Sequence, residues 1–145
     1  MEIVSTTVSD PQVLPLFSEY DDFMMDFLGN DKLDYIRYSD NENIENVWIA
    51  TDGNSSIGCV AFRKKAEETG EIKRLFIRQA YRGNGIAKRL LKTVENHAIS
   101  QGCHTLFLDT RITLEPAVSL YRNAGFTITF QEGLYIQMEK GLPCG

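Results

Sequence analysis

Residues 71–87, EIKRLFIRQAYRGNGIA, constrain the fold more than any other stretch of the chain. Ile72 to Ile77 carry Ile, Leu and Phe with charged residues only toward the start, the pattern of a strand half-exposed at its beginning and buried at its end. Gln79 to Gly83 turn the chain. From Ile86 the apolar residues fall at Ile86, Ala87, Leu90, Leu91, Val94 and Ala98, one face of a helix, while Lys88, Arg89, Lys92, Glu95 and Asn96 fill the opposite arc. The spacing predicts a strand, a Gly-rich turn and an amphipathic helix in direct succession.

Such a layout binds anions. A helix start leaves its first amide N–H groups without intrahelical partners and carries the positive end of the macrodipole. Gly83 and Gly85 let the backbone approach a phosphate and take positive φ, and Arg82 adds a charged donor. Two common phosphate loops fail on spacing. A Walker A loop requires Gly-Lys followed by Ser or Thr, whereas Lys88 follows Ala87 and precedes Arg89. A dinucleotide fingerprint would need Gly at the position of Lys88. ATP and NAD are disfavoured by these routes.

The elements on either side follow in a readable order. Glu2 to Thr7 reads as a short strand. Ser9-Asp10-Pro11 reads as a helix start, a capping side chain before Pro in the first turn. Val13, Leu14, Phe17, Tyr20, Phe23, Met24, Phe27 and Leu28 hold a helical period up to Gly29. The polar face of that helix is acidic, with Glu19, Asp21, Asp22 and Asp26, and Asp31 and Asp34 beyond it. It reads first as a solvated face, and secondarily as a surface that attracts cations. A short helix is expected around Lys32 to Tyr38. Asn46 to Thr51 and Ile57 to Arg63 flank Asp52-Gly53, a hairpin signal. Lys65 to Gly70 turns the chain again. The helix from Ile86 to Ser100 ends at Gly102 and Thr105 to Thr110 returns as a buried strand, a right-handed parallel crossover. Pro116 opens a last helix that Gly125 closes, and Thr127 to Phe130 with Tyr135 to Lys140 form a closing hairpin.

Arg82-x-x-Gly85-x-Ala87, directly after a strand, resembles the loop of the GNAT N-acetyltransferase family that holds the pyrophosphate of acetyl-CoA. LFLDT at 106–110 followed by AVSLYRNAGF at 117–126 resembles the same family's next strand and helix. The resemblance is close over 71–126. It implies an α/β (α+β) fold with a mixed, mostly antiparallel sheet of six or seven strands flanked by about four helices. It also implies acetyl-CoA as cosubstrate, bound by Arg82, Gly83, Asn84, Gly85, Ile86 and Ala87 and by the main chain of Leu75, Phe76 and Ile77.

The chain as a whole suits that reading. Its 145 residues are expected to form one domain, 1–145, large enough for a core without covalent staples. No apolar run approaches the ~20 residues of a membrane helix, and the N-terminal residues lack a signal-peptide pattern, so a cytoplasmic protein with no membrane partner is expected. The net charge of −5 disfavours nucleic acid as a partner. Cys59, Cys103 and Cys144 have no C-x-x-C spacing and read as reduced thiols, and neither His97 nor His104 belongs to a metal-ligand cluster, so no metal is expected. Sheet edges at the closing hairpin would permit a homodimer.

Transfer of acetyl from a thioester to an amine requires removal of a proton from the ammonium, stabilisation of the oxyanion and a proton for the leaving thiolate. The resemblance implies Glu71 as general base, directly or through water, against the alternative of an exposed strand-end carboxylate beside Lys73. It implies Tyr121 as the acid that serves the sulfur, although the stripe Ala117, Leu120, Tyr121 and Ala124 would hold a core Tyr in any case. Where many family members have Asn three residues before the Ala of this motif, this chain has Leu114. No Cys lies in the motifs, so direct transfer is expected, and the short loops and acidic first helix point to a primary amine of a small molecule as acceptor. The alternatives are a protein or peptide N-acetyltransferase and a non-catalytic acyl-CoA-binding module. Trp48 and Tyr135 are core residues or walls of an acceptor cleft.

Overall fold

The structure is a computed structural model and describes residues 1–29, 38 and 40–143. The expected short helix around Lys32 to Tyr38, Asp31, Asp34 and Cys144 lie outside the described residues, apart from Tyr38 itself. The strands are β1 (Glu2–Thr6), β2 (Asn46–Asp52), β3 (Ser55–Ala66), β4 (Thr69–Ile77), β5 (Thr105–Arg111), β6 (Thr127–Glu132) and β7 (Tyr135–Gly141). The helices are α1 (Val13–Leu28), α2 (Ile86–Ser100) and α3 (Glu115–Asn123), with a single 3-10 turn at Gln79–Tyr81. About four helices were expected; three are seen among the described residues.

The seven strands form one sheet in the order β1-β2-β3-β4-β5-β7-β6. Only β4 and β5 run parallel, joined by the crossover through α2, and every other neighbour pair is antiparallel. One face carries Trp48, Ile57, Phe62, Ile72, Leu106, Leu108, Ile136 and Met138 against Leu90, Leu91 and Val94 of α2 and Val118 and Tyr121 of α3. The other packs Val47, Ile49, Cys59, Ala61 and Phe76 against Val13, Leu16 and Phe17 of α1. Two apolar layers therefore enclose the sheet, as its alternating side chains require.

Local chemistry moves some boundaries. Asp10 accepts from Gln12 N at 2.8 Å and from Thr6 Oγ1 at 2.6 Å, so the Asp10-Pro11 segment is a turn and α1 begins at Val13. Pro15 then lies in the first turn, where its missing N–H costs nothing. Glu95 is buried, contrary to its expected place on the solvent arc of α2, because Lys140 of β7 reaches it and pairs with its Oε1. His97 is wedged edge-on between the rings of Trp48 and Phe62, 5.0 Å from each, and burial lowers its pKa.

The start of β4 departs most from expectation. Glu71, Lys73 and Arg74 are 5%, 5% and 2% exposed, not half-exposed. Flanked on both sides by neighbouring strands, β4 has no solvent edge at this end, and its charges find partners instead.

Candidate active site

Pairing between β4 and β5 lasts for three residue pairs, Thr69 with Thr105, Gly70 with Leu106 and Glu71 with Phe107. Bonds from His104 N and Thr105 N to Glu68 O, 2.7 and 3.2 Å, close that end. Beyond Glu71 the two strands part. On its other side β4 carries one extra residue: Cys59 pairs with Phe76 and Ala61 with Lys73, so Val60 faces both Arg74 and Leu75. Arg74 takes φ +55°, and its carbonyl accepts from Cys59 Sγ at 3.4 Å. A bulge of this kind bends its strand and re-aims the following residues.

The wedge between the splayed strands is a cleft of about 610 Å³. Leu75, Phe76 and Ile77 form one wall, Leu108, Asp109 and Thr110 the facing wall, and Tyr121, Leu120 and Ala117 of α3 the back. Its mouth is the turn that precedes α2. Gly83 and Gly85 take φ +84° and +76°, which only a residue without Cβ adopts at little cost. Gly85 is the N-cap, and the first intrahelical bond is donated by Arg89 to Gly85 O. The N–H groups of Ile86, Ala87 and Lys88 precede that bond and stand at the positive end of α2. Asn84 caps the turn by donating from Nδ2 to Tyr81 O at 3.2 Å. Arg82 lines the cleft, yet its Nε is committed to Ile77 O at 2.8 Å and its guanidinium lies over the rings of Phe23 and Phe76. It ties the loop to the end of β4 as well as lending charge.

Tyr121 lies in the same cleft, 8% exposed, with its ring edge-on to Phe126. Burial, and secondarily the Asp109 charge, raise its pKa, so the hydroxyl keeps its proton across the neutral range. The loop 82–87, the β4 wall and Tyr121 are thus brought together. Asn84 stands just outside the lining and Leu114 within it.

Glu71 is not in this cleft. It faces the α1 side of the sheet, where Arg63 Nε donates to its Oε1 at 2.9 Å and Arg63 Nη1 also reaches Asp40 Oδ2 at 3.0 Å. These residues line a second cleft of about 370 Å³, with Lys65, Phe107, Tyr135 and Gln137. Trp48 is a core residue, while Tyr135 is a wall of this second cleft.

Three groups escaped the sequence reading. Lys73, Arg74 and Asp109 are charged residues set in apolar strands. Arg74 reaches α1 through Asp21 Oδ1, 2.9 Å, and Phe17 O, 3.2 Å. Glu19 of the same helix chelates Arg78. Half of the acidic face of α1 thus answers arginines of β4 and its end, while Asp22 and Asp26 face solvent. Asp109 accepts from Tyr135 Oη at 3.2 Å. Its pKa is raised to about 6, chiefly by burial and then by Glu71, against the opposing pull of Lys73, the Tyr135 bond and Lys65. The pKa of Lys73 is lowered, by burial first and by Arg63 second. The available signal was a lone carboxylate in the run LFLD, which a buried strand admits only with a partner or a purpose.

The family model described as the acetyltransferase (GNAT) family matches residues 14–126. The chain belongs to the GNAT acetyltransferase family, a family of acyltransferase enzymes. Among curated relatives, the probable N-acetyltransferase 14 of Xenopus tropicalis is 33% identical over 85 residues, 57% of this chain and 41% of that protein. The IAA acetyltransferase of Azospirillum brasilense is 34% identical over 79 residues, 54% of this chain and 52% of that protein. The matched stretch spans about half or less of these relatives. A putative acyl-CoA N-acyltransferase from Klebsiella pneumoniae superposes with a TM-score of 0.79 at 26% identity, covering 98% of this chain and 97% of that one. A GNAT acetyltransferase from Elizabethkingia anophelis with acetyl-CoA bound gives 0.74 at 22% identity, covering 97% of both chains. The second likeness bears on the fold alone.

Proposed function

We propose that this protein transfers acetyl directly from acetyl-CoA to a primary amine of a small molecule. The observation that carries the reading is the wedge between β4 and β5, which opens on the Gly83–Ala87 helix start and has Tyr121 at its back. The backbone N–H groups of 83–87 would hold the pyrophosphate, helped by Arg82. The main chain of Leu75 to Ile77, which β5 does not pair, would bond the amide-bearing arm in the manner of an added strand, and a main-chain N–H at the bulge would steady the oxyanion. The apolar walls suit that arm, and a volume of about 610 Å³ leaves room for it.

Tyr121 is the proton donor in this reading. A hydroxyl that stays protonated beside a developing thiolate stabilises it by hydrogen bond and then by proton transfer. Removal of the ammonium proton belongs to the carboxylate pair Glu71 and Asp109. Cys59 is buried, its thiol pushed up to about 12 chiefly by burial, which favours direct transfer over an acetylated cysteine. Small acceptors are favoured because the second cleft holds only about 370 Å³ and is walled by charges.

Calorimetric titration with acetyl-CoA, with ATP and NAD alongside and Gly85→Glu as control, tests the cofactor. Expected is micromolar binding of acetyl-CoA, about −8 kcal/mol, lost in the control and absent for ATP and NAD. Release of CoA thiol with free amines then tests the acceptor. Release with peptides alone would replace the small-molecule acceptor by a peptide, and binding without release would leave an acyl-CoA-binding module.

A further inference from the structure

We infer that Lys73 is an internal acceptor: when acetyl-CoA is bound and no free amine is present, the chain transfers the acetyl group to its own Lys73 Nζ. The inference rests on the acetyl-transfer reading above and adds to it a modification site within the chain.

Position along β4 carries the argument. The last residues that pair across the β4–β5 seam are Glu71 and Phe107. Lys73 and Asp109 stand two residues beyond them, one on each strand, and so flank the point where the wedge begins. Next along β4 come the bulge at Arg74 and then Leu75 to Ile77, the main chain that would hold the arm of the donor. A donor whose pyrophosphate lies at 83–87 and whose arm runs back past Ile77, Phe76 and Leu75 ends at the bulge. Lys73 is the residue it meets there. Strand residues rise by about 3.3 Å each, which puts Lys73 within about 7 Å of Leu75 along the strand. The four-carbon stem of a lysine spans such a gap.

Two lysines line the wedge among the described residues, Lys73 and Lys88. Lys88 belongs to the first turn of α2, at the phosphate end. Lys73 is the amine at the acyl end, and at 5% exposure its ammonium has little water around it. The charges that face it are Arg63 from β3, Glu71 from its own strand, Asp109 from β5 and Asp40 from the segment before β2. Burial and Arg63 favour the neutral amine, the three carboxylates favour the ammonium, and the net effect lowers its pKa. A desolvated lysine of this kind is a nucleophile. Because it is part of the wall against which the thioester would lie, its encounter with the donor is intramolecular and needs no diffusion. Lys65 provides the contrast: it is exposed and lies in the second cleft, its ammonium 3.2 Å from the centroid of Phe107.

The transfer balances as follows. The Lys73 ammonium loses one proton to water, and the freed nitrogen lone pair forms the N–C bond at the thioester carbonyl. The C–S bond breaks with its electron pair on sulfur, and Tyr121 gives its proton to that thiolate. A second N–H proton leaves the nitrogen and restores the Tyr121 hydroxyl. The products are an acetamide on Lys73 and the free CoA thiol. Acetylation removes the Lys73 charge, and with it a pull that favours ionisation of Asp109.

The test incubates the full chain with acetyl-CoA and no amine, and reads the intact mass and the proteolytic peptides. Expected is a gain of one acetyl group per chain, on Lys73, at a rate that does not change with protein concentration. Lys73 should be acetylated faster than in Gly85→Glu, which loses the donor, by about 100-fold or more, whereas Lys65 should react equally in both. Tyr121→Phe should slow the reaction at Lys73 and not at Lys65. A Lys73 that stays unmodified in a chain that binds acetyl-CoA and acetylates ethylamine would overturn the inference, as would equal rates at Lys73 in the wild type and Gly85→Glu. If Lys73 is acetylated and no free amine is, the inference stands and the small-molecule acceptor falls. If acetyl-CoA binds and neither is acetylated, both fall.

Discussion

Arg74, on the bulge of β4, donates from Nη1 to Asp21 Oδ1 of α1 at 2.9 Å, and this bond joins the most irregular backbone in the sheet to the helix that covers it. The Arg74 side chain is 1% exposed and its charge depends on that partner, on Asn41 Oδ1 and on Phe17 O. Its left-handed φ persists because these contacts over-determine it. Asp21→Ala should therefore lower stability by roughly 3 kcal/mol, the loss expected when one member of a buried pair is removed. Asp22→Ala, on the solvent side of the same helix, should change it by less than about 0.5 kcal/mol. Urea midpoints at unchanged m-value measure both; equal effects would mean that α1 is not anchored through Arg74.

Tyr121→Phe keeps the ring that packs on Phe126 and removes only the hydroxyl. Turnover is expected to fall by about 100-fold or more, with acetyl-CoA affinity and thermal midpoint nearly intact. Stopped-flow CoA release and calorimetry on the same variant separate the two. A turnover equal to wild type would remove Tyr121 from the mechanism.

Burial of Asp109 has a stability signature whose sign is opposite to that of a salt-bridged carboxylate. Its folded pKa of about 6 lies above the ordinary aspartate value of 3.8, so the folded state binds the proton more tightly. The contribution is fully present below 3.8 and is lost as pH rises through about 6. The ionised form thus costs on the order of 2–3 kcal/mol at pH 7. Asp109→Asn should stabilise the fold at neutral pH by that order, and the gain should shrink to nothing near pH 4. Denaturation across this window measures it. A stabilised variant that has lost activity is the usual mark of a functional site.

The neighbours of Asp109 should move the acidic limb of the rate profile in opposite directions. Glu71 raises the Asp109 pKa, so Glu71→Gln should shift the limb to lower pH. The Tyr135 hydroxyl lowers it, so Tyr135→Phe should shift the limb to higher pH. Were Glu71 itself the proton acceptor, Glu71→Gln would abolish the limb instead of displacing it.

The sequence carries the order of elements well, and the reason is local. The Asp52-Gly53 turn, the switch from strand to helical period at Gly85-Ile86 and the apolar stripe of α2 are each written within a few neighbouring residues. The wedge mouth and Tyr121 are legible for the same reason, since a Gly-rich helix start and a spaced stripe are short-range patterns. The bulge at Arg74 has no such mark, because no Gly or Pro stands there and the conformation is imposed by Asp21, Phe17 and Asn41, all distant in the chain. The burial of Glu71 and the half-burial of Asp109 escape for a related reason. Their partners, Arg63 and Tyr135, meet them across strands, and which strands are neighbours is a property of the whole sheet.

The seam left after Glu71 and Phe107 also bears on how long the protein survives. Amide groups on the open edge of β4 lack a strand partner, and a sheet with an unzipped interior line opens locally with less work than a continuous one. An occupant of that line that carries its own amides acts as a suture. At a hundredfold excess over its Kd such an occupant adds about 2.7 kcal/mol to the folded state. Hydrogen exchange along Leu75 to Ile77 would then slow, and resistance to proteolysis would rise, in step with the supply of acetyl donor. The lifetime of this chain in a cell would report on the metabolic state that feeds its reaction.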